Sequence, residues 1–409
     1  MDLRGLAMPT SGQVGDFVTL VRGKTYKGAL VGADGPALLG LGSIVPGGGF
    51  RNDYKTYGGD CPPELMLESG DLFVSLKGAT KDGEMIGSVA RLPESVPSGR
   101  LTQDTVKLVF RTCNADFKRY FYWVLRTPDY RAYCAGRATG SAVVALSRND
   151  FLSYPVPLLT PIRTQIVEVL ERIENKIESN RRLAQNLQSL FRLQFERVVA
   201  SAEVEWARIS DIATTTKGVS YKSIDLQPSR TALVTLKSFD RTGGYKSDGL
   251  KPYVGPYKPL QVVKPGEVAV AQTDLTQGAE VVGRGVRVPA DGSADVLVAS
   301  LDLVVVRPND GISNEYLLGV LTEEAFRQHC RSRTSGTTVL HLASDAIPSY
   351  EAPIVPKLLR DEFTAVARPL LARIDSAERE VVQLTALRGA LLPELLSGRM
   401  RVPVEEFAA

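Results

Sequence analysis

Two long stretches of the chain carry apolar residues at helical spacing with little to break them. From Pro161 to about Val199 there is no further Gly or Pro, and Ile166, Val169, Ile173, Ile177, Leu183, Leu187 and Leu190 recur close to heptad spacing around a polar Asn180. Thr160-Pro161 supplies an N-cap followed by proline at the first helical position. At about 1.5 Å per residue this helix is roughly 58 Å long. Near the end of the chain Phe363, Val366, Leu370, Ile374, Ala377, Val381, Leu384 and Leu391 form a second seam. Pro369 and Pro393 interrupt it, which predicts a late start or a kink and a further bend near Leu392. Two amphipathic helices most simply bury their seams against one another, and antiparallel pairing would put the segments that precede them at opposite ends of a rod.

Those preceding segments have a different texture. Each is about 150 residues of Gly/Pro turns and short β-branched runs with one brief helical pair, at Asp116 to Gly136 and at Asn314 to Cys330. They are also copies of one plan, because the second half echoes the first at an offset of 195 to 196 residues. Gly23-Lys24-Thr25-Tyr26-Lys27 returns as Gly218-Val219-Ser220-Tyr221-Lys222, and the run from Ala37 to Ile44 returns from Ala232 to Phe239. Gly87, Arg91 and Pro93 find Gly283, Arg287 and Pro289, while Tyr120, Gly140, Tyr154 and Pro157 find Tyr316, Gly336, Tyr350 and Pro353. The fold class expected is α+β, with two similar mixed α/β domains separated by two long antiparallel helices that form a coiled-coil spacer. The boundaries are 1–157 for the first head, 158–202 for the central helix, 203–353 for the second head and 354–409 for the C-terminal helix and tail.

Composition narrows the chemistry. The 409 residues are 44% hydrophobic, enough for more than one core, and 49 Lys+Arg against 46 Asp+Glu leave a formal charge of only +3. Any nucleic-acid role must come from local basic patches. The N-terminus lacks an apolar signal core, and the uncharged stretch from Gly35 to Gly49 is broken by glycines and by Pro36 and Pro46, so a cytoplasmic protein without a membrane span is expected. Cys61, Cys113, Cys134 and Cys330 form no CxxC pair, and His329 and His341 both lie in the second half, which disfavours a disulfide framework, a metal site or a triad repeated in both heads. Cys61-Pro62-Pro63-Glu64 lacks the aromatic residue that would stack a flipped adenine, so it reads as a turn. Gly23-Lys24-Thr25 lacks the upstream glycine of a phosphate loop.

Two heads of one plan but unlike sequence, each closed by a Pro-containing segment (Tyr154-Pro155-Val156-Pro157 and Ala352-Pro353-Ile354) that leads into a long helix, resemble the DNA-specificity subunit of type I restriction-modification systems over almost the whole chain. Local matches are Ile209-Ser210-Asp211-Ile212-Ala213 with Lys217-Gly218, the Ser335-Gly336-Thr337 loop, and the ending from Ala390 to Gly398. Departures lie at the helix starts, where Gln165-Ile166-Val167 and Lys357-Leu358-Leu359 stand in place of a Pro-rich, acidic-Gln opening. The resemblance implies a subunit without chemistry or cofactor of its own. It would read an asymmetric bipartite site on double-stranded DNA and direct two methyltransferase subunits, which carry S-adenosylmethionine, together with motor-nuclease subunits. The helical spacer would set the gap between half-sites.

If the heads read DNA, cationic, hydroxyl and amide side chains in repeat-equivalent loops are the candidates, since Arg and Lys suit guanine edges and phosphates while Asn and Gln suit adenine. Three groups of loops qualify. The first is Lys24, Tyr26 and Lys27 with Lys217, Tyr221 and Lys222, where a solvated surface loop is the competing reading. The second is Lys77, Thr80 and Lys81 with Gln272, Thr273 and Gln277, against a flexible polar hairpin. The third is Arg137, Thr139, Gly140 and Ser141 with Arg333, Ser335, Gly336 and Thr337, where glycine admits close approach to phosphate and an ordinary turn is the alternative. A repeat adaptor that binds only protein partners through its helical seams would explain the helices and duplicated heads without DNA.

Overall fold

The structure, a computed structural model, describes residues 12–397 except 53, 79–82, 113, 141–143, 241–242, 276–277, 291, 293 and 338. It divides into two compact units, one running to Lys176 and resuming at Gln383, the other comprising Ile177–Val382. Each unit therefore takes one head together with part of each long helix.

The first unit opens with β1 (Gly12–Gln13), the single turn α1 (Val14–Phe17) and β2 (Val18–Arg22), followed by β3 (Ala37–Leu39), β4 (Met66–Leu67), β5 (Leu72–Ser75), β6 (Val89–Arg91), β7 (Gly99–Leu101) and β8 (Thr105–Phe110). Helices α2 (Ala115–Val124), α3 (Pro128–Arg137) and α4 (Arg148–Leu152) then lead through β9 (Pro155–Val156) into α5 (Pro161–Ala200). An antiparallel sheet in the order β2-β8-β5-β6 lies between two apolar layers. Alternation along β5 decides which: Leu72 and Val74 join Phe117, Phe121 and Ile166 on the helical side, while Phe73 joins Leu39 and Leu101 of the smaller β3-β7-β4 sheet. Helices α2 and α3 are capped by side chains, with Asn114 accepting from the Phe117 amide and Thr127 from Tyr130.

The second unit repeats the plan. Strand β10 (Glu205–Arg208) and the turn α6 (Ile209–Ile212) precede β11 (Ala213–Lys217), β12 (Thr231–Val234), β13 (Lys251–Pro252), β14 (Val268–Ala271), β15 (Thr273–Asp274), β16 (Gly285–Arg287), β17 (Val296–Ala299) and β18 (Leu303–Pro308). Helices α7 (Asn314–Thr322) and α8 (Glu324–Arg331), strands β19 (Thr334–Ser335), β20 (Leu340–Leu342) and β21 (Glu351–Ile354), and α9 (Lys357–Ser397) complete it. The sheet β11-β18-β14-β16 matches β2-β8-β5-β6 in register: Leu72 faces Leu108 and Arg91, and Val268 faces Val306 and Arg287. The closing tyrosines match as well, Tyr120 donating to the Pro157 carbonyl at 2.9 Å and Tyr316 to Pro353 at 2.8 Å.

The long helices bury a stricter seam than the eye picks from the sequence. On α5 the buried seam runs through Ile166, Leu170 and Ile173 in the first unit and Ile177, Asn180, Ala184, Phe191 and Phe195 in the second, in steps of three, four or seven with Val167 buried beside its start, whereas Val169 and Leu183 flank the seam and Leu190 is exposed. Within the second unit Phe191 meets Phe363 at 5.6 Å between ring centroids, and Asn180 donates to Glu380 at 2.7 Å. Advancing along α5 thus means retreating along α9, so the pairing is antiparallel. In the first unit Glu174 of α5 pairs with Arg388 of α9. The expected late start of the second helix is overturned: α9 begins at Lys357 and runs through both prolines as one helix. Pro369 and Ala365, the residue four before it whose carbonyl loses its donor, are both exposed, so water can take that carbonyl. Among the described residues no helix is long and apolar enough to cross a membrane.

Candidate nucleic-acid interface

In the first head the three groups of candidate residues are tied together through the turn that joins β7 to β8. Lys24 forms an isolated bridge with Thr102 at the start of that turn, and the Lys77 ammonium lies 3.4 Å from Asp104 within it. Lys77 and Thr139 both bridge Ala145, Thr139 and Ala145 exchanging backbone hydrogen bonds of 2.9 and 2.8 Å. Lys24, Tyr26 and Lys27 are exposed, with Lys24 3.1 Å from Glu64. Their loop is held from beneath by residues the sequence reading passed over. Buried Tyr57 accepts from the Lys27 amide at 3.2 Å and meets the Tyr26 ring edge-on at 6.1 Å, and buried Arg100 lies over Tyr57 while donating to the Thr25 and Asp60 carbonyls. Arg137 stacks 3.8 Å from the centre of the Tyr133 ring, 3.9 Å from Asp150, and Gly140 adopts a φ of +125°. Thr80, Lys81 and Ser141 lie outside the described residues.

The second head uses the same joints with different side chains. Val219 bridges Ser300 at the β17–β18 turn, and Asp302 in that turn accepts from the Gln272 amide and from the Thr273 hydroxyl, both at 2.8 Å. Thr273, which occupies the place of Lys77, is buried, and Gln272 donates its side chain to the Leu301 carbonyl. Thr273 and Ser335 flank His341 in the small sheet β15-β20-β19, and exposed His341 stands where the first head has Ala145. Lys217 is exposed at the end of β11, Lys222 bonds Asp225 through its amide at 2.8 Å, and the Tyr221 hydroxyl accepts from Lys251 at 3.1 Å. Arg333 lies 3.7 Å from Asp345. Gly336 has a φ of +113°, and a Cβ there would stand 2.1 Å from the Val339 carbonyl, so only glycine makes this turn beside exposed Ser335 and Thr337. Gln277 lies outside the described residues. Each head therefore gathers its exposed cations, hydroxyls and glycine turns around one β-turn. Such a surface can contact phosphates and base edges.

Against solved structures, the chain matches the type I restriction-modification system S subunit from M. genitalium at a TM-score of 0.57 and 14% identity, over 97% of this chain and 98% of that one. This chain has the S-subunit fold. At a TM-score of 0.38 it is similar to a chain from a structure of type I R-M system complex assembly and conformational transition, with 14% identity over 97% of this chain and 100% of that one. The HsdS subunit from Thermoanaerobacter tengcongensis aligns at 0.31 and 14% identity, over 95% and 97% of the two chains. No protein-family model matches the chain, and no curated protein matches it in sequence.

Elsewhere in this S-subunit fold two buried thiols pack as structural groups. Burial pushes the Cys134 thiol up and the Cys330 thiol up to about 12, and each packs under a positive-φ glycine, Gly87 or Gly283. Among the described residues no cluster of three or more His, Cys, Asp or Glu could hold a metal ion. Two carboxylates are likewise taken up by ion pairs, Asp71 with Lys107 and Lys118 and Glu267 with Arg307.

Proposed function

We propose that the chain is the non-catalytic DNA-specificity subunit of a type I restriction-modification complex. Each head reads one half of an asymmetric bipartite site on double-stranded DNA, and the long helices set the gap. Two methyltransferase subunits carrying S-adenosylmethionine, and motor-nuclease subunits, dock on it and supply the chemistry in the cytoplasm. The observation that carries this reading is the repetition of one loop cluster in both heads with unlike side chains: Lys77 against Thr273, Ala145 against His341, Arg137-Ala138-Thr139-Gly140 against Arg333-Thr334-Ser335-Gly336. Equivalent placement with changed identity is what two half-sites of different sequence require.

The test is a map of methylated adenines in cells carrying the chain with its methyltransferase partner, repeated after exchange of the first head alone. One half-site should change, with the other half-site and the gap retained. Methylation independent of this chain would sink the proposal. A protein-only adaptor would leave the methylation sites untouched by the exchange.

A further inference from the structure

The contacts between head and helix differ in the two units, and the difference opens a cavity in the second. In the first unit buried Trp123 donates its indole N–H to Glu171 at 2.7 Å, and Arg126 lies over its ring at 4.5 Å, 3.7 Å from Glu174. The repeat-equivalent residues in the second unit are Gly319 and Thr322. Phe195 of α5 enters over Gly319, where an added Cβ would stand 2.2 Å from its ring, but the short Thr322 leaves a cavity of about 190 Å³ beside it.

Three guanidiniums border that cavity: Arg192 from α5, Arg284 from the segment before β16, and Arg327 from α8. Arg192 and Arg284 converge on Gly243, their Nη atoms 2.9 and 3.5 Å from where its Cβ would be, and Gly243 itself has a φ of +106°. The Nε of Arg327 is buried with no hydrogen-bond partner, although its Nη2 reaches the Ala279 and Glu280 carbonyls and its Nη1 lies 3.7 Å from the exposed Glu324. Burial first, and then the charges of Arg327 and Arg192, lower the pKa of Arg284, with Glu324 and Asp240 opposing. Crowded guanidiniums around a partly enclosed space carry a repulsion that a bound anion relieves, and their planar forks match the oxygens of phosphate. Glu196, Glu323 and Glu324 also line the cavity, Glu324 from its exposed rim, but burial and then Glu196 push Glu323 up to about 7, so near neutrality it is partly protonated and can donate to an anion.

We propose that this cavity is an oxyanion site that takes a phosphoryl group between Arg192, Arg284 and Arg327. In the first head Arg126 stands at the position equivalent to Thr322 and lies 3.7 Å from Glu174, which it shares with Arg388. Two sources share this chemistry, a DNA backbone phosphate and a small phosphate ester.

Calorimetric titration of inorganic phosphate into the full chain, on the acid side of the Glu323 midpoint, should show one site. Arg284→Gln should weaken it by roughly tenfold or more, as expected for loss of a charge-assisted hydrogen bond. Arg230→Gln, whose partner is the exposed Asp295, should leave it unchanged. Thr322→Arg restores the side chain of the first head and should abolish binding, so the result does not depend on Arg284→Gln folding. Duplex DNA that displaces phosphate assigns the site to the backbone, and duplex that binds alongside it assigns the site to a small ester. Absence of any phosphate binding by the wild-type chain, or its survival in both Arg284→Gln and Thr322→Arg, overturns the proposal.

Discussion

If the loop clusters meet DNA, their single residues divide into those that position and those that discriminate. Arg333 is an exposed cation beside a glycine turn, 3.7 Å from Asp345. Arg333→Ala should weaken duplex binding by the assembled complex about fivefold, uniformly across sequences, and reduce the slope of log affinity against log salt by about one. Anisotropy titrations at several salt concentrations measure both, and an unchanged slope would count against a phosphate contact. His341 replaces Ala145 at the centre of the small sheet, so His341→Ala should relax discrimination in one half-site only, read from a randomised-site binding assay. Of these two, the sequence pointed to Arg333, because an Arg-hydroxyl-Gly turn can be read locally. It passed over His341, which is brought to this surface by pairing with Thr273 and with Ser335. Lys77 and Thr273 show the same limit: one place in the fold, yet Thr273 is buried and bonded to Asp302. Packing constrains other single positions. Gly283 has a φ of +75°, and an added Cβ would stand 2.5 Å from Cβ of Cys330. Gly283→Ala should cost about 2–3 kcal/mol in denaturant unfolding, from backbone strain and overpacking together.

Among the elements, α5 and α9 carry the argument about spacing. Periodicity disclosed both helices, but placed the seam imperfectly, because Leu190 and Val366 satisfy the spacing while facing solvent, and Phe191 and Ala367 are the buried neighbours. Hydropathy alone cannot choose between adjacent apolar residues when the helix has aromatic and aliphatic side chains on both sides of the stripe. Proline misled in the other direction, since Pro369 on an exposed face interrupts one hydrogen bond without ending α9. The seam also sets how spacer length can be tested. Seven residues, two turns, preserve heptad phase, whereas four would rotate the downstream seam by roughly 40° and misalign pairs such as Asn180 with Glu380. Matched seven-residue insertions in α5 and α9 should therefore lengthen the gap in the methylated site by about three base pairs with both half-sites unchanged. Genome-wide methylation mapping reads the outcome, and an unaltered gap would show that the helices do not set it.

For the molecule as a whole, duplication was the feature most legible in the sequence, and charge compensation the least, because it depends on which helix side chains each head meets. In the first unit Glu171 takes Arg91 and the Trp123 indole, and Glu174 takes Arg126 and Arg388. The second unit pairs Arg287 with Asp375 but leaves two carboxyls strained: Glu323 is raised to about 7 by burial and then by Glu196, and Glu378 to about 7 by burial and then by Asp375, with Arg287 opposing. Both have folded-state pKa values above the ordinary glutamate value of 4.5, so between 4.5 and about 7 the folded chain holds protons that the unfolded chain has released. The stability these groups contribute is present at the acid end of that window, falls as pH rises through it and is flat above. Allowing for partial solvent screening, the loss is about 1 kcal/mol per carboxyl. Glu323→Gln with Glu378→Gln should therefore raise the urea midpoint above pH 7 while changing it little near pH 5. Equal shifts at both pH values would trace the gain to packing instead of to the cost of ionising two buried acids.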